Sequence, residues 1–418
     1  MRKYFSVSTN HDSYDEIVNS FVDMDHKMND PSLSKYQNYP FLQSMLRSES
    51  SREYALKTAT GYQQFVKSSH PWFETIFIIK ERAIERFAAP LALCTLNAVV
   101  CYHLSLIFPV VASALTTLEM FWSSVDSQVF STTLAFLLVF RINRIAVRWW
   151  ESRTAWGNIV WQIGALAGLI CQHLKLSPKL RDRAIAWTLA FPFACKQLLR
   201  GENHISREEI AGILDVDEIS VLEAAWHPPH YAAAELRNVI FLALSADCTD
   251  PDSDIQKNTA MAIYRNSVAR SIESLVNSLI QNIGSMERIR NTPLPVIYTT
   301  HLRTYLLLYL LTLPYLYGHS GGYLTVVAVF LTSFGLLGID GAAAECESPF
   351  SKGRANHLDM EAYCLTLMKN VVQICVHYAD MEIQTASLKM NGTVSGEKNI
   401  NLYNGGLFPC NHPFEHLC

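Results

Sequence analysis

Residues 134–157 read LAFLLVFRINRIAVRWWESRTAWG, an apolar stretch that runs straight into a row of arginines and tryptophans. Arg141, Arg144 and Arg148 lie three and then four apart, which is the spacing of one helical face. Arg153 follows, with Trp149, Trp150 and Trp156 interleaved. Fixed cations in such a row raise the local concentration of anions at a mouth. The same residues also suit an aromatic and arginine anchor where a helix leaves a bilayer, with Arg148 paired to Glu151. Composition by itself favours the anchor reading.

Other chemistry is sparse. His227-Pro228-Pro229-His230 is the best metal-like pair, but the two prolines prevent the continuous helix that would aim both rings at one ion, so it reads as a loop. His103 and His301 have no acidic residue three or four positions on, which disfavours a carboxylate-bridged metal bundle. There is no glycine-rich phosphate loop before a Lys-Ser or Lys-Thr pair and no nucleophile elbow. No CxxC occurs among the ten cysteines, most of which (Cys94, Cys101, Cys171, Cys195) lie in apolar stretches where a thiol acts as a small hydrophobe. No metal or other cofactor is expected, and no enzyme activity. Asp340 and Glu345 close the last apolar run, where they suit either a polar interface or a proton-coupled carrier.

The elements that would position these groups are helices in a membrane. Of 418 residues, 50% are hydrophobic and only 17% charged, against roughly a quarter charged in soluble domains. The net charge of −4 provides no basic field for nucleic acid. Phe87–Leu118 contains no Asp, Glu, Lys or Arg, longer than the roughly 20 residues a span needs, and Pro109 is placed to end or kink it. Ser127–Phe140 and Thr154–Leu174 are also free of charge, the latter with Gly157, Gly164 and Gly168, whose size permits close helix approach. Thr304–Tyr317 and Gly322–Ile339 read as a helical hairpin joined by the turn sequence Gly318-His319-Ser320-Gly321-Gly322. Between Lys257 and Arg290, Met261, Val268, Ile272, Leu275, Leu279, Ile283, Met286 and Ile289 recur at threes and fours, an amphipathic helix near coiled-coil spacing, after a loop at Asp250–Asp254.

The resulting expectation is an all-α, multi-pass membrane protein. Residues 1–70 are a polar, partly disordered segment without visible signal or transit peptide, with pieces docked around Tyr39-Pro40-Phe41 and Trp72-Phe73. Residues 71–375 form the membrane domain, with spans near 87–112, 127–140, 301–317 and 322–340 and a helical extramembrane part over about 150–300. A C-terminal tail occupies 376–418 and is poorly ordered after about Ser387.

The segment Phe140-Arg141-Ile142-Asn143, then Arg148-Trp149-Trp150-Glu151, Arg153, Trp156 and Gly157 resembles the bestrophin family of anion channels, in its bacterial and plant or algal plastid branches. Ala190-Phe191-Pro192, Pro293–Thr299, Leu311–Pro314, Gly338-Ile339-Asp340 with Glu345 and Glu347, Pro349-Phe350 and Leu358-Asp359 continue the likeness in order, over about residues 70–370. The resemblance implies four membrane-spanning helices per subunit, a large helical extramembrane region and a homopentamer in the lipid bilayer around one central pore. It also implies conduction of inorganic anions: chloride, bicarbonate or nitrate. The family's hydrophobic neck carries over to Thr132, Phe136 and Phe140, whose spacing by four puts them on one stripe. Arg141, Asn143, Arg144 and Arg148 become candidates for the pore mouth.

The departures from the family pattern bear on gating. Thr132 stands where the family is usually apolar, Ala146 where it has Tyr, and Gly341 and Ser348 where it commonly has acidic residues. Ser351-Lys352-Gly353-Arg354-Ala355-Asn356 replaces the acidic run that serves animal members as a calcium clasp, so calcium gating of that type is not expected. Lack of the clasp favours the bacterial or plastid branch, with a thylakoid or other chloroplast membrane as the expected location. The competing readings are a proton-coupled anion transporter and a membrane-bound enzyme or assembly protein.

Overall fold

The computed structural model describes residues 35–48, 84–124, 127–175, 177–246, 255–316, 322–352 and 356–392. These contain helices and no strand. In chain order they are α1 (Pro40–Arg47), α2 (Ile84–Ile107), α3 (Pro109–Ser124), α4 (Ser127–His173), α5 (Pro178–Arg200), α6 (Val216–Ala224), α7 (Pro228–Ala246), α8 (Ile255–Asn291), α9 (Val296–Leu316), α10 (Tyr323–Cys346) and α11 (Met360–Gly392). Trp72-Phe73, Asp250–Asp254, most of the 318–322 turn and residues 353–355 fall outside the described residues.

Proline placement decides where the apolar runs break. Pro109, which has no amide hydrogen, splits the first charge-free run into α2 and α3. No proline lies between Pro109 and Pro178, and α4 runs for 47 residues, roughly 70 Å at the helical rise. The two uncharged runs at 127–140 and 154–174 are therefore parts of one rod, not separate elements. Of its glycines, Gly157 packs against the Arg153 side chain, but a Cβ at Gly164 or Gly168 would meet nothing within 4 Å. Those two are not points of close helix approach within the chain.

The rod passes through two cores. Its first half joins Phe87, Cys94 and Ala98 of α2, Leu302, Leu306, Leu310 and Leu313 of α9, and Val326 and Val329 of α10 around Leu134 and Leu138. Its second half, through Trp156, Ile159, Ile163, Leu166 and Ile170, packs into a larger core with α5, α7, α8 and α11. In α8 the buried seam is Val268, Ile272, Val276, Leu279, Ile283, Met286 and Ile289, close to the periodicity of the sequence, while Met261 is exposed. By length and apolarity, three helices among the described residues can cross a bilayer: Ile84–Ile107, Val129–His173 and Tyr323–Cys346. In α9, 21 residues long, His301, Arg303 and Tyr298, Tyr305, Tyr309 and Tyr315 interrupt the leucines.

Ion pairs tie the second core together. Arg200 of α5 meets Glu361 of α11, with Nη2 to Oε2 at 2.6 Å, and Lys352 Nζ stands 3.5 Å from the same carboxylate. Burial alone would push the Glu361 carboxyl up, but the hydrogen bond and charge of Arg200, with Lys196 nearby, hold it at about 2. The helix α11 carries on to Gly392, so residues 376–392 belong to the folded chain and not to a tail beginning at 376. Near the N-terminus, α1 buries Leu42 and Met45 against this core, as the Tyr39-Pro40-Phe41 docking point implied.

Candidate functional site

Along the first half of α4 the two sides of the helix are chemically opposite. Leu134, Leu138, Arg141 and Ile145, at intervals of four, three and four, are buried against α2, α9 and α10 or at the boundary between the cores. Thr132, Phe136, Phe140 and Arg144, at intervals of four, lie on another stripe and are exposed. Phe136 is 68% exposed and Phe140 47%, values at odds with core packing inside one chain. Their rings stack with centroids 6.3 Å apart and planes 23° from parallel. The Arg144 guanidinium lies 5.6 Å from the Phe140 ring centre, within cation–π range. The stripe is thus a hydroxyl, two stacked phenyl rings and a cation, all on one uninterrupted helix. Asn143, one residue before Arg144, is also exposed.

The arginine row does not share one environment. Arg141 is 0% exposed and pairs with Asp340 of α10, with Glu347 Oε2 at 3.9 Å from its Nη2. It is therefore committed to an ion pair inside the fold and presents no exposed charge, unlike the expectation for that residue. The cause is a step of 100° around the helix from Phe140, which turns Arg141 from the exposed stripe to the packed side. Arg148 donates to the carbonyls of Ile289 at 2.7 Å and Thr292 at 2.8 Å. Its charge thus satisfies the C-terminal carbonyls of α8 and does not go to Glu151, which is exposed. Arg148 is a brace between α4 and α8. Of the three, Arg144 is the one that continues the phenylalanine stripe.

A polar belt not anticipated as a unit lies where the two cores meet. Asp340 accepts from Arg141 and, at 3.0 Å, from Arg303 Nε of α9. Glu345 lies 3.0 Å from Arg86 Nε of α2 and 3.6 Å from His357 Nε2. Signals for it existed in the sequence, because Arg303 and Asp340 interrupt apolar helices and a charge so placed needs a partner. Which charge meets which depended on helix order. The His227 ring lies against Glu287, Nε2 to Oε1 at 3.1 Å, and against the His230 ring. No cluster of three or more metal-ligating side chains occurs among the described residues.

A family model described as bacterial/fungal bestrophin protein matches residues 64–373. The chain belongs to the bestrophin family. A voltage-dependent anion channel-forming protein of Nostoc sp. is 34% identical to this bestrophin over 245 residues, 58% of the chain and 74% of that relative. The chloroplastic voltage-dependent chloride channel 2 of Arabidopsis thaliana is 25% identical over 252 residues, 59% of this bestrophin and 55% of the plant protein. A solved structure of a bacterial bestrophin homolog from Klebsiella pneumoniae superposes with a TM-score of 0.56, at 20% identity, over 69% of this chain and 98% of that one. The last likeness concerns the fold, which it shares.

Proposed function

We propose that this bestrophin is an anion channel of a thylakoid or other plastid membrane, assembled as a homopentamer with α4 from each subunit around a central pore. Phe140, Phe136 and Thr132 are its neck, and chloride, bicarbonate or nitrate its permeant ions. The observation that carries this reading is the exposed Phe136–Phe140 stripe continued by Arg144, on a helix that buries Leu134, Leu138, Arg141 and Ile145 on its opposite side. Five such stripes facing an axis bury their phenyl rings against a narrow passage. α2, α4, α9 and α10 serve as the four membrane helices, with the Tyr-rich α9 shielded by the other three. The likeness to named anion and chloride channels supports the ion class.

The chemistry follows from the rings. A phenyl edge carries positive quadrupole potential, so it can face a weakly hydrated anion while the wall stays apolar. A narrow apolar ring can also close by drying. Thr132 brings a hydroxyl to one end of the neck, which makes that ring easier to wet. Arg144 and Asn143, beyond Phe140, concentrate anions at the other end.

Anion permeability ratios in planar bilayers test the reading. Phe140→Ala should raise conductance or relax selectivity among halides, and unchanged currents would remove Phe140 from the neck. Native mass spectrometry should give five copies. A proton-coupled carrier would use Asp340 or Glu345, but both are held by arginines. Discrete single-channel steps support the pore, and saturating, pH-coupled flux supports the carrier.

A further inference from the structure

Cys171, near the end of α4, and Cys375, midway along α11, stand 204 positions apart in the chain with their sulfurs 3.9 Å apart. Among the described residues no other pair of cysteines makes a sulfur–sulfur contact. Cys171 is buried and Cys375 half-buried, on helices that pack along each other. Beside the two sulfurs lies a cavity of about 20 Å³, walled by Tyr39, Met45, Arg181 and Asp182. That is room for about one water molecule. The pair is therefore close, on helices that pack together, and beside a small cavity with Arg181 and Asp182 in its wall, whereas Cys195 and Cys364 lie deep in the same core.

The cover of this cavity is α1, and it hangs from the same stretch of α11. Tyr39 Oη donates to Glu382 at 2.9 Å, Tyr36 Oη donates to Asp380 at 3.0 Å, and Lys35 Nζ pairs with Asp380 at 2.8 Å. Arg181 of α5 reaches Glu382 at 2.9 Å from below. Besides these part-exposed contacts α1 is held by the burial of Leu42 and Met45, so opening this short helix exposes little of the core and costs less than global unfolding. Lifting α1 would bare Cys375 to a reagent without disturbing the helices that hold the sulfurs together.

We propose that Cys171 and Cys375 form a reversible disulfide by exchange with a small soluble disulfide of the glutathione class, clamping the C-terminal helix to the long α4 rod. The contact with Cys171 and burial hold the Cys375 thiol well above its ordinary value, so Cys375 gives up its proton once α1 lifts, attacks the external disulfide, forms a mixed disulfide and expels one thiol. Cys171, whose thiol is shifted down chiefly by its contact with Cys375 and further by the Arg181 cation, loses its proton, attacks Cys375 Sγ and expels the second thiol. The two protein thiols lose two hydrogens and two electrons, which leave on the two released thiols, and a dithiol reverses the sequence. Closing from 3.9 Å to the bonded length of about 2.05 Å asks each sulfur to move by roughly 1 Å, which side-chain rotation supplies. The inference does not depend on the channel reading, since both cysteines pack in the second core, apart from the Thr132–Phe140 stripe.

The test uses the full-length purified protein, treated with oxidised glutathione and separately with diamide, then alkylated and mapped by mass spectrometry without reduction. The expected result is a cross-linked peptide pair joining residues 171 and 375, loss of two alkylatable thiols, and full reversal by dithiothreitol. Cys171→Ser should instead accumulate a glutathione adduct on Cys375, and Tyr39→Phe should speed oxidation of the native pair by loosening the cover. If Cys171 and Cys375 stay as alkylatable as in untreated protein with both reagents, or if Cys375 keeps a stable glutathione adduct in the presence of Cys171, the proposal is overturned.

Discussion

Asp340→Asn removes the counter-charge of a fully buried arginine. Arg141 has no exposed surface, and its Nε finds no hydrogen-bond partner among the described residues. Taking one partner from a buried ion pair costs about 3–5 kcal/mol, because the remaining charge stays out of water. Glu347, 3.9 Å from Arg141, offsets part of this and places the expected loss near the lower end, about 3 kcal/mol. The Arg303 contact adds little, since that side chain is 50% exposed and such pairs contribute about 0–1 kcal/mol. The reverse deletion is not symmetric. Arg141→Met keeps much of the buried volume and leaves Asp340 with Arg303 and 12% of its side chain in solvent, so the expected loss is about 1 kcal/mol. The difference of about 2 kcal/mol corresponds to roughly thirtyfold in the unfolding equilibrium constant. Reversible unfolding in mixed detergent micelles, followed by tryptophan fluorescence, reads both variants against the parent protein. Equal losses for the two variants, or a loss below about 1 kcal/mol for Asp340→Asn, would refute the argument that a buried, half-satisfied arginine sets the energy of this belt.

Three further outcomes are expected. Glu361 is held at about 2 against an ordinary 4.5, so its ion pair contributes stability that is whole above about pH 4.5 and lost as the pH falls through about 2. That shift corresponds to about 3 kcal/mol, and Glu361→Gln should flatten the acid limb of a stability-against-pH curve; an unchanged limb in the variant would count against it. A Cβ at Gly341 would lie 2.8 Å from Phe87 Cδ1, so Gly341→Ala should destabilise the α2–α10 contact by about 1–3 kcal/mol, as read by thermal unfolding. Calcium chelators should leave the anion currents unchanged, because Lys352 sits beside Glu361 where an ion would need oxygen ligands; currents that vanish with chelator would show that reading to be wrong.

Local features of the chain and features made by its distant parts divide by separation along the sequence. Charge-free length announced the membrane helices, Pro109 marked a real break, and the threes and fours of α8 matched its buried seam, because these are local properties of consecutive residues. Spacing by four also placed Thr132, Phe136 and Phe140 on one stripe before any fold was known. Spacing did not say which sides of the helix would be covered. The three arginines that looked equivalent at i, i+3 and i+7 separated into a buried charge, an exposed cation on the phenylalanine stripe and a brace on the α8 carbonyls. That separation required α8, α9 and α10 to arrive from more than 120 residues away and cover different sides of α4. The same holds for Asp340, legible as a charge in an apolar helix but not as the partner of Arg141 and Arg303, and for Cys171, which read only as a small hydrophobe until the fold brought Cys375, 204 positions away, against it. Helix formation, apolar length and facial periodicity arise from neighbours within a turn or two, so the sequence determined them by itself. Burial, charge pairing and the meeting of thiols depend on which distant surface comes to lie opposite, and only tertiary packing decided that.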